Sequence, residues 1–214
     1  MLIGIFGGTF DPPHLGHLAL ASAARLQLGL DRLLWMLTPD PPHKQGQPIT
    51  PVHHRLAMLE LALAGHPEFK LSRLELDRPG PHYALDTVKL LAGQNPEADL
   101  VYLMGGDSLR DLPTWHRPAD LLSAIRYLGV LLRPGASPDL PALERLLPGI
   151  TAKVRFVDAP PVDISASEIR ALAAAGKPFR EFVLPSVYEY IVGHQLYSQP
   201  LTSHRPSFSH PAAP

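Results

Sequence analysis

The chain has 214 residues, a formal net charge of −1 and no cysteine. This length suits one substantial α/β domain, which we expect to span residues 1–197. The absence of cysteine excludes disulfides, thiolate metal ligands and cysteine nucleophiles. A near-zero net charge gives no overall attraction to nucleic acid or to an anionic membrane, so any affinity for phosphate must be local.

The apolar opening MLIGIF lacks a basic flank and runs directly into a glycine turn, which is typical of a buried strand and not of an export signal. No later apolar run reaches the roughly 18 residues that a membrane span needs. We therefore expect a soluble cytoplasmic protein without nucleic-acid or membrane partners; a homo-oligomer is left open.

Apolar segments of strand length alternate with longer segments of helical periodicity along the chain. Continuous apolar runs such as LIGIF and YLGVLL indicate parallel strands that are covered on both faces. The predicted strands are Leu2–Phe6, Arg32–Leu37, Phe69–Leu74, Leu100–Met104, Tyr127–Leu132 and Val154–Val157. This alternation predicts an α/β fold, a Rossmann-like open parallel sheet with helices on both faces.

Two helices of the first half have recognisable ends. Apolar residues at helical spacing predict a helix over residues 15–28, and Gly29 suits the position just after its end. Thr50 and Pro51 precede HHRLAMLELALAG, so we predict Thr50 as N-cap and Pro51 as the first helical residue.

The second half ends in two predicted helices and a polar tail. Ser165 with Glu168 three residues later forms a capping box, and Gly176 follows the helix. A final helix is predicted over about residues 186–196. Residues 198–214 carry little apolar content, and we expect them to be a disordered tail.

Residues 7–17, GGTFDPPHLGH, join the first strand to the first helix. The glycines Gly7 and Gly8 allow close approach of the backbone, and the start of the helix supplies N–H groups and a positive dipole end. His14 and His17 add side-chain donors, so this edge of the sheet is suited to phosphate. The spacing matches neither a Walker A loop nor GxGxxG, and a tight turn with two incidental histidines is the alternative.

Residues 164–170, ISASEIR, carry a helix start and an arginine. Capping alone is a sufficient account of Ser165 and Glu168. Arg170 is planar and always charged, which suits it to phosphate oxygens; a solvated surface arginine is the alternative.

Two further segments carry candidate ligand contacts. Residues 39–44, PDPPHK, end in Lys44, a point charge able to follow a phosphate, with a solvated lysine as the alternative. Residues 105–117, GGDSLRDLPTWHR, follow a strand and so lie at the same sheet edge. There Asp107 suits a ribose hydroxyl or a metal-bound water, and Trp115 either stacks on a base or packs on its own protein.

The strings at residues 7–17 and 164–170 resemble the HxGH signature of the nucleotidyltransferases that adenylylate or cytidylylate small phosphorylated substrates. With PPHK, RPGPHYALDT at residues 78–87 and the TWH segment, nearly the whole chain up to Tyr197 resembles the bacterial nicotinate-nucleotide adenylyltransferases. That family makes deamido-NAD and pyrophosphate from nicotinate mononucleotide and ATP.

The resemblance implies three groups of site residues. The catalytic group is His14, His17, Lys44 and Arg170. The ATP-binding group is Gly7, Gly8, Thr9, Phe10, Gly16, Gly105, Asp107, Ile164, Ser165 and Ser167. The acceptor-binding group is Trp115, His116, Tyr83, Ala84 and Thr87. Mg²⁺ is expected to enter with ATP as phosphate counter-ion, without metal ligands from the protein itself.

The chain departs from the family pattern at two positions. Ala166 stands where many relatives have a second serine, and Ala84 replaces the threonine of SYTxDT, which leaves only its backbone N–H. Asp86 and Thr87 are retained, and capping of the helix VKLLAG is an alternative account of both.

Two competing functions stay open at this point. Another adenylyltransferase of the superfamily would use nicotinamide mononucleotide or phosphopantetheine as acceptor. A nucleotide-binding module without catalysis would keep the fold, but the intact His14, His17 and Arg170 argue against it.

Overall fold

The computed structural model describes residues 1–41, 46, 48–132, 138–159 and 164–198. The strands in these ranges are β1 Leu2–Gly8, β2 Arg32–Leu37, β3 Phe69–Ser72, β4 Asp99–Gly105, β5 Tyr127–Leu131 and β6 Val154–Val157. The α-helices are α1 Leu15–Gln27, α2 Val52–Leu63, α3 Ala84–Gln94, α4 Gly106–Asp111, α5 Pro118–Ala124, α6 Leu140–Leu146, α7 Ile150–Lys153, α8 Ala166–Ala174 and α9 Pro185–Gly193.

All six strands form one parallel sheet in the order β3-β2-β1-β4-β5-β6. The chain therefore adds β2 and β3 on one side of β1, and it then returns to add β4, β5 and β6 on the other side. The neighbours β1 and β4 form the point at which the strand order reverses, and ligands of open α/β sheets bind beyond the carboxyl ends of such strands. The predicted Rossmann-like sheet is confirmed.

Both faces of the sheet are covered by buried apolar side chains. Along β1, Ile3 and Ile5 pack into one cluster and Phe6 packs into the other, as expected from the period of two in a strand. A third cluster joins α2, α8 and α9 through residues that include Met58, Ile169 and Ile191. It attaches α9 to α2, which in turn packs against β2 and β3.

Strand boundaries differ by a few residues from the predicted ones. β1 continues to Gly8, because Gly7 and Gly8 still pair with Met36 and Leu37 of β2. β3 ends at Ser72, two residues earlier than predicted. The segment that leads from β4 to Trp115 begins with the short helix α4.

The predicted cap of α2 is wrong by one residue. The helix begins at Val52 with Pro51 in the N-cap position, and no side chain caps it. Thr50 is instead buried, and its backbone N–H donates to Asp11 Oδ2 at 3.1 Å. Thr50 therefore ties the segment before α2 to the loop after β1.

The predicted start of α8 and the glycines predicted to follow α1 and α8 are confirmed. Ser165 caps α8 and exchanges hydrogen bonds with Glu168 in a capping box. Gly29 and Gly176, which follow α1 and α8, have left-handed φ angles of 64° and 65°.

The last predicted helix is shorter in the structure, since α9 ends at Gly193. The prediction of a disordered tail falls, except for Ser198, outside the described residues. Within the described ranges no helix combines the length and the apolar content that a membrane span requires.

Candidate active site

The loop between β1 and α1 is anchored by a buried aromatic residue. Phe10 has a left-handed φ of 46° and is 2% exposed. Its ring lies 5.5 Å from that of Phe6 and 5.2 Å from that of Trp35. A Cβ on Gly8 would lie 2.9 Å from Phe10 Cζ, so glycine is required where the loop turns. The strand end and the loop are therefore held in one conformation.

His14 and His17 lie side by side at the start of α1. Their ring centroids are 3.7 Å apart, and the backbone N–H of His14 donates to His17 Nδ1 at 3.2 Å. Since Nδ1 accepts, the neutral ring of His17 carries its proton on Nε2. His14 is buried, whereas His17 is half-buried and its ring packs against that of Phe10 at 5.1 Å.

Arg170 on α8 joins the second motif to the first. Its Nη1 donates to the backbone oxygen of Asp11 at 2.8 Å, across 159 residues of sequence. Its Nη2 donates to Ser167 Oγ at 3.2 Å. Arg170 is half-buried and bonded, so it is not a solvated surface arginine. The two motifs predicted to share a ligand lie in contact.

Arg55 on α2 is a site residue that the sequence analysis missed. It is 1% exposed, and its guanidinium donates to four backbone oxygens at 2.6–3.0 Å. These oxygens belong to Thr9, Thr38, Pro39 and Thr50. Burial lowers the pKa of Arg55, and the nearby Asp11 carboxylate opposes that shift. One side chain thus fixes the loops that follow β1 and β2 and the segment before α2.

Aromatic side chains of the predicted acceptor group also come together. The rings of Tyr83 and His116 stack at 4.1 Å, with an angle of 19° between their planes. Trp115 is half-buried, and its ring meets that of Tyr102 edge to face at 6.0 Å. Trp115 therefore packs in part on its own protein.

Thr87 lies on the first turn of α3, close to the backbone of Tyr83. It is 1% exposed, and its hydroxyl donates to Glu75 Oε1 at 2.6 Å and accepts from Arg78 Nη2 at 3.1 Å. The alternative that Asp86 or Thr87 caps the helix is wrong, because α3 begins at Ala84 with Tyr83 as N-cap. Glu75 and Arg78, which the sequence analysis did not single out, hold the segment that leads to the acceptor residues.

His82, next to Tyr83, is 7% exposed. Burial and then the Arg78 charge lower its pKa from 6.5, against weaker opposite effects of Glu75 and Asp40. The folded protein therefore holds His82 neutral at a pH where the unfolded chain begins to bind a proton.

This shift predicts a pH dependence of stability. Since the unfolded chain binds more protons below its His82 pKa, the stabilisation due to neutral His82 is present above about pH 6.5 and is lost as the pH falls. The difference in free energy of unfolding between wild type and His82→Gln should therefore shrink between about pH 7.5 and pH 5.5. Urea unfolding at both pH values measures it, and a constant difference would contradict the assignment.

Three of the remaining predicted residues lie at or near the same sheet edge. Gly105 ends β4 and is the N-cap of α4, while the neighbouring Asp107 is exposed and pairs with Arg110 at 3.1 Å. Ile164 is buried immediately before α8. Lys44 lies outside the described residues.

A protein-made metal site is not found in the ranges that the structure describes. No group of three or more His, Asp or Glu side chains there has an arrangement that could hold a metal ion.

The family model described as cytidylyltransferase-like matches residues 5–172, which include both motifs and five of the six strands in full. The chain belongs to this cytidylyltransferase-like family. A probable nicotinate-nucleotide adenylyltransferase from Thermomicrobium roseum is 48% identical over 195 residues, 91% of each chain. The nicotinate-nucleotide adenylyltransferase of Bacillus subtilis is 38% identical over 91% of this chain and 97% of its own.

Solved structures agree with the family fold. The nicotinic acid mononucleotide adenylyltransferase of Plasmodium falciparum, complexed with NaAD, superposes with a TM-score of 0.78. The match covers 94% of this chain and 99% of that one at 20% identity. At this identity the likeness establishes a shared fold, and the sequence relatives carry the family assignment.

Proposed function

We propose that this member of the cytidylyltransferase-like family transfers AMP from ATP to nicotinate mononucleotide, which gives deamido-NAD and pyrophosphate. The observation that carries the proposal is that the paired rings of His14 and His17 and the guanidinium of Arg170, which donates to Asp11, are all held at the segment that follows β1. The relatives at 48% and 38% identity, both named nicotinate-nucleotide adenylyltransferases, support the choice of reaction. A cytoplasmic location is part of this proposal.

The reaction needs positioning more than proton transfer. The 5′-phosphate of the acceptor is ionised at neutral pH, so its oxygen attacks the α-phosphorus of ATP without a general base. The bond from the α-phosphorus to the bridging oxygen breaks, and pyrophosphate leaves with that electron pair. The protein contributes by aligning the two phosphates and by stabilising the charge that develops on the leaving group.

The side-chain and backbone donors divide this work. His14, His17, Lys44 and Arg170 are proposed to contact the phosphates of ATP, with the backbone of Gly7, Gly8, Thr9 and Phe10 beside them. Gly16, Gly105, Asp107, Ile164, Ser165 and Ser167 complete the proposed ATP site. An Mg²⁺ ion that enters with ATP would neutralise phosphate charge in this site.

The acceptor is proposed to lie against the aromatic group. Trp115 is assigned to the pyridine ring, with Tyr83 and His116 beside it. Ala84 is the first residue of α3, and the first N–H groups of a helix have no intrahelical partner. Its N–H suits the nicotinate carboxylate. The buried hydroxyl of Thr87 is engaged by Glu75 and Arg78, so we assign Thr87 to holding this segment in place.

A comparison of acceptors tests the function. The purified protein, with Mg²⁺ and ATP, is offered nicotinate mononucleotide, nicotinamide mononucleotide or phosphopantetheine, and pyrophosphate release is measured. We expect the highest kcat/KM with nicotinate mononucleotide. A preference for another acceptor would indicate a different adenylyltransferase, and absence of release with all three would favour a binding module.

The Trp115→Ala variant should raise the KM for nicotinate mononucleotide while leaving the KM for ATP nearly unchanged. Loss of an aromatic stacking partner costs about 1–3 kcal/mol, which corresponds to a rise of roughly 5- to 150-fold. Trp115→Phe, which keeps a ring, is the matched control and should show a smaller rise. An unchanged acceptor KM in Trp115→Ala would remove Trp115 from the acceptor site.

A further inference from the structure

Asp11, in the middle of the first motif, is a junction between distant parts of the chain. It is 3% exposed, and its Oδ1 accepts a hydrogen bond from the Tyr197 hydroxyl at 2.7 Å. Its Oδ2 accepts from the backbone N–H of Thr50 at 3.1 Å. Its backbone oxygen accepts from Arg170 Nη1 at 2.8 Å. Three segments that are far apart in sequence are thus attached to one residue of the loop between β1 and α1.

Tyr197 reaches Asp11 from the segment that follows α9. Its side chain is 4% exposed within the cluster that contains Met58 and Ile191. Its φ of 64° is left-handed, a conformation that a non-glycine residue keeps only where surrounding contacts fix it. Burial and the Asp11 charge raise the pKa of Tyr197, so its hydroxyl stays protonated and donates.

The hydrogen bond from Tyr197 to Asp11 affects Arg170, because Asp11 is the residue that fixes the Arg170 guanidinium relative to the loop after β1. The bond from Arg170 to Ser167 lies within α8 and cannot fix the guanidinium relative to the loop after β1. The bond to the Asp11 carbonyl does so. Any rotation of Asp11 moves that carbonyl, and the carboxylate contacts of Asp11 oppose such a rotation.

We propose that Tyr197 is a positioning residue for ATP binding, which sets the place of Arg170 through its hydrogen bond to Asp11. The inference rests on the proposed function, in which Arg170 contacts ATP phosphates. Tyr197 itself touches neither substrate in this account. The segment after α9 thereby becomes part of the nucleotide site.

The Tyr197→Phe variant removes the hydroxyl and keeps the buried ring. Hydrogen bonds to charged groups are the strong class, so we expect the affinity for a non-hydrolysable ATP analogue, measured by calorimetry, to fall about tenfold. The KM for ATP should rise by a similar factor, and the KM for nicotinate mononucleotide should change less than about twofold. Tyr188→Phe is the matched control, because Tyr188 lies on α9 and packs against Phe179 and Arg180 away from Asp11.

Two further variants separate positioning from a loss of folding. Asp11→Asn weakens the same hydrogen bond, because it replaces the carboxylate that accepts from Tyr197 with a neutral amide. Like Tyr197→Phe, it should lower the affinity for the ATP analogue. In an Arg170→Lys background, which lacks the planar fork, Tyr197→Phe should cost much less affinity than in the wild type. A general effect on stability would give the same loss in both backgrounds. Thermal unfolding of each variant establishes that it is folded at the assay temperature.

The outcomes distinguish this inference from the proposed reaction. Wild-type analogue affinity in folded Tyr197→Phe, or an undiminished effect in the Arg170→Lys background, would overturn the role of Tyr197. A wild type that binds the analogue but transfers no AMP to nicotinate mononucleotide would contradict the reaction, and the affinity comparison would still decide the role of Tyr197. A wild type that does not bind the analogue would refute both.

Discussion

The His17→Ala variant is expected to lower kcat by about 10²–10³-fold, the usual cost of removing one donor that stabilises developing charge. The KM for nicotinate mononucleotide should stay within about twofold of the wild-type value, because His17 is assigned to the ATP phosphates. The reason is geometric. His17 lies on the first turn of α1 against His14, and its neutral ring carries the donor proton on Nε2. Steady-state kinetics with each substrate varied in turn measure both parameters.

Two controls separate chemistry from helix capping, since His17 Nδ1 also accepts from the backbone of His14. His17→Asn keeps a side-chain acceptor near the start of the helix but removes the imidazole, and it should be as slow as His17→Ala. His66→Ala replaces a half-buried histidine that precedes β3, at the amino ends of the strands and so on the side of the sheet opposite to the candidate site. This variant should leave kcat unchanged. Near-normal turnover in His17→Ala would remove His17 from the mechanism.

The Arg55→Met variant should produce the largest loss of stability. The change keeps much of the side-chain volume but leaves four backbone oxygens without their donor and Asp11 without a compensating charge. Removal of one member of a buried charged arrangement costs about 3–5 kcal/mol, a large part of the total stability of most domains. Urea unfolding monitored by circular dichroism measures the loss.

Arg55→Lys tests whether the planar fork is needed as well as the charge. An ammonium group cannot reach four carbonyl oxygens in the same geometry, so this variant should recover only part of the stability. Arg73→Met removes an exposed arginine that pairs with Asp77, and little change is expected there. Full stability in Arg55→Met would contradict the role assigned to this side chain.

The sheet and the first motif could be predicted from the sequence because their signals are local. The apolar runs gave six strands, and the glycines with the following helix placed Gly7, Gly8, His14 and His17 at one edge. The capping box of Ser165 and Glu168 was likewise readable from four consecutive positions. The structure adds that His14 and His17 are in contact with each other, which their spacing at the start of a helix allows but does not require.

The residues that hold the site in place could not be predicted, because their roles depend on contacts between segments that are distant in sequence. Arg55 occupies a helical position at which a sequence analysis expects a solvated charge, and only the packing of α2 over the ends of β1 and β2 turns it inward. Tyr197 lies 186 residues from Asp11. Thr50 does not cap α2, because the helix begins one residue later than predicted and the backbone N–H of Thr50 donates to Asp11. The alternative that Thr87 caps a helix is wrong, because its hydroxyl donates to Glu75 in a tertiary hydrogen bond.

The central claim is that the carboxyl edge of the sheet beside β1 and β4 holds the triphosphate of ATP between the two histidines and Arg170. A crystal structure of the protein with Mg²⁺ and a non-hydrolysable ATP analogue tests it most directly. We expect phosphate oxygens within hydrogen-bonding distance of His14, His17 and Arg170. A nucleotide bound elsewhere, with these three side chains unchanged and without contact to phosphate, would contradict it.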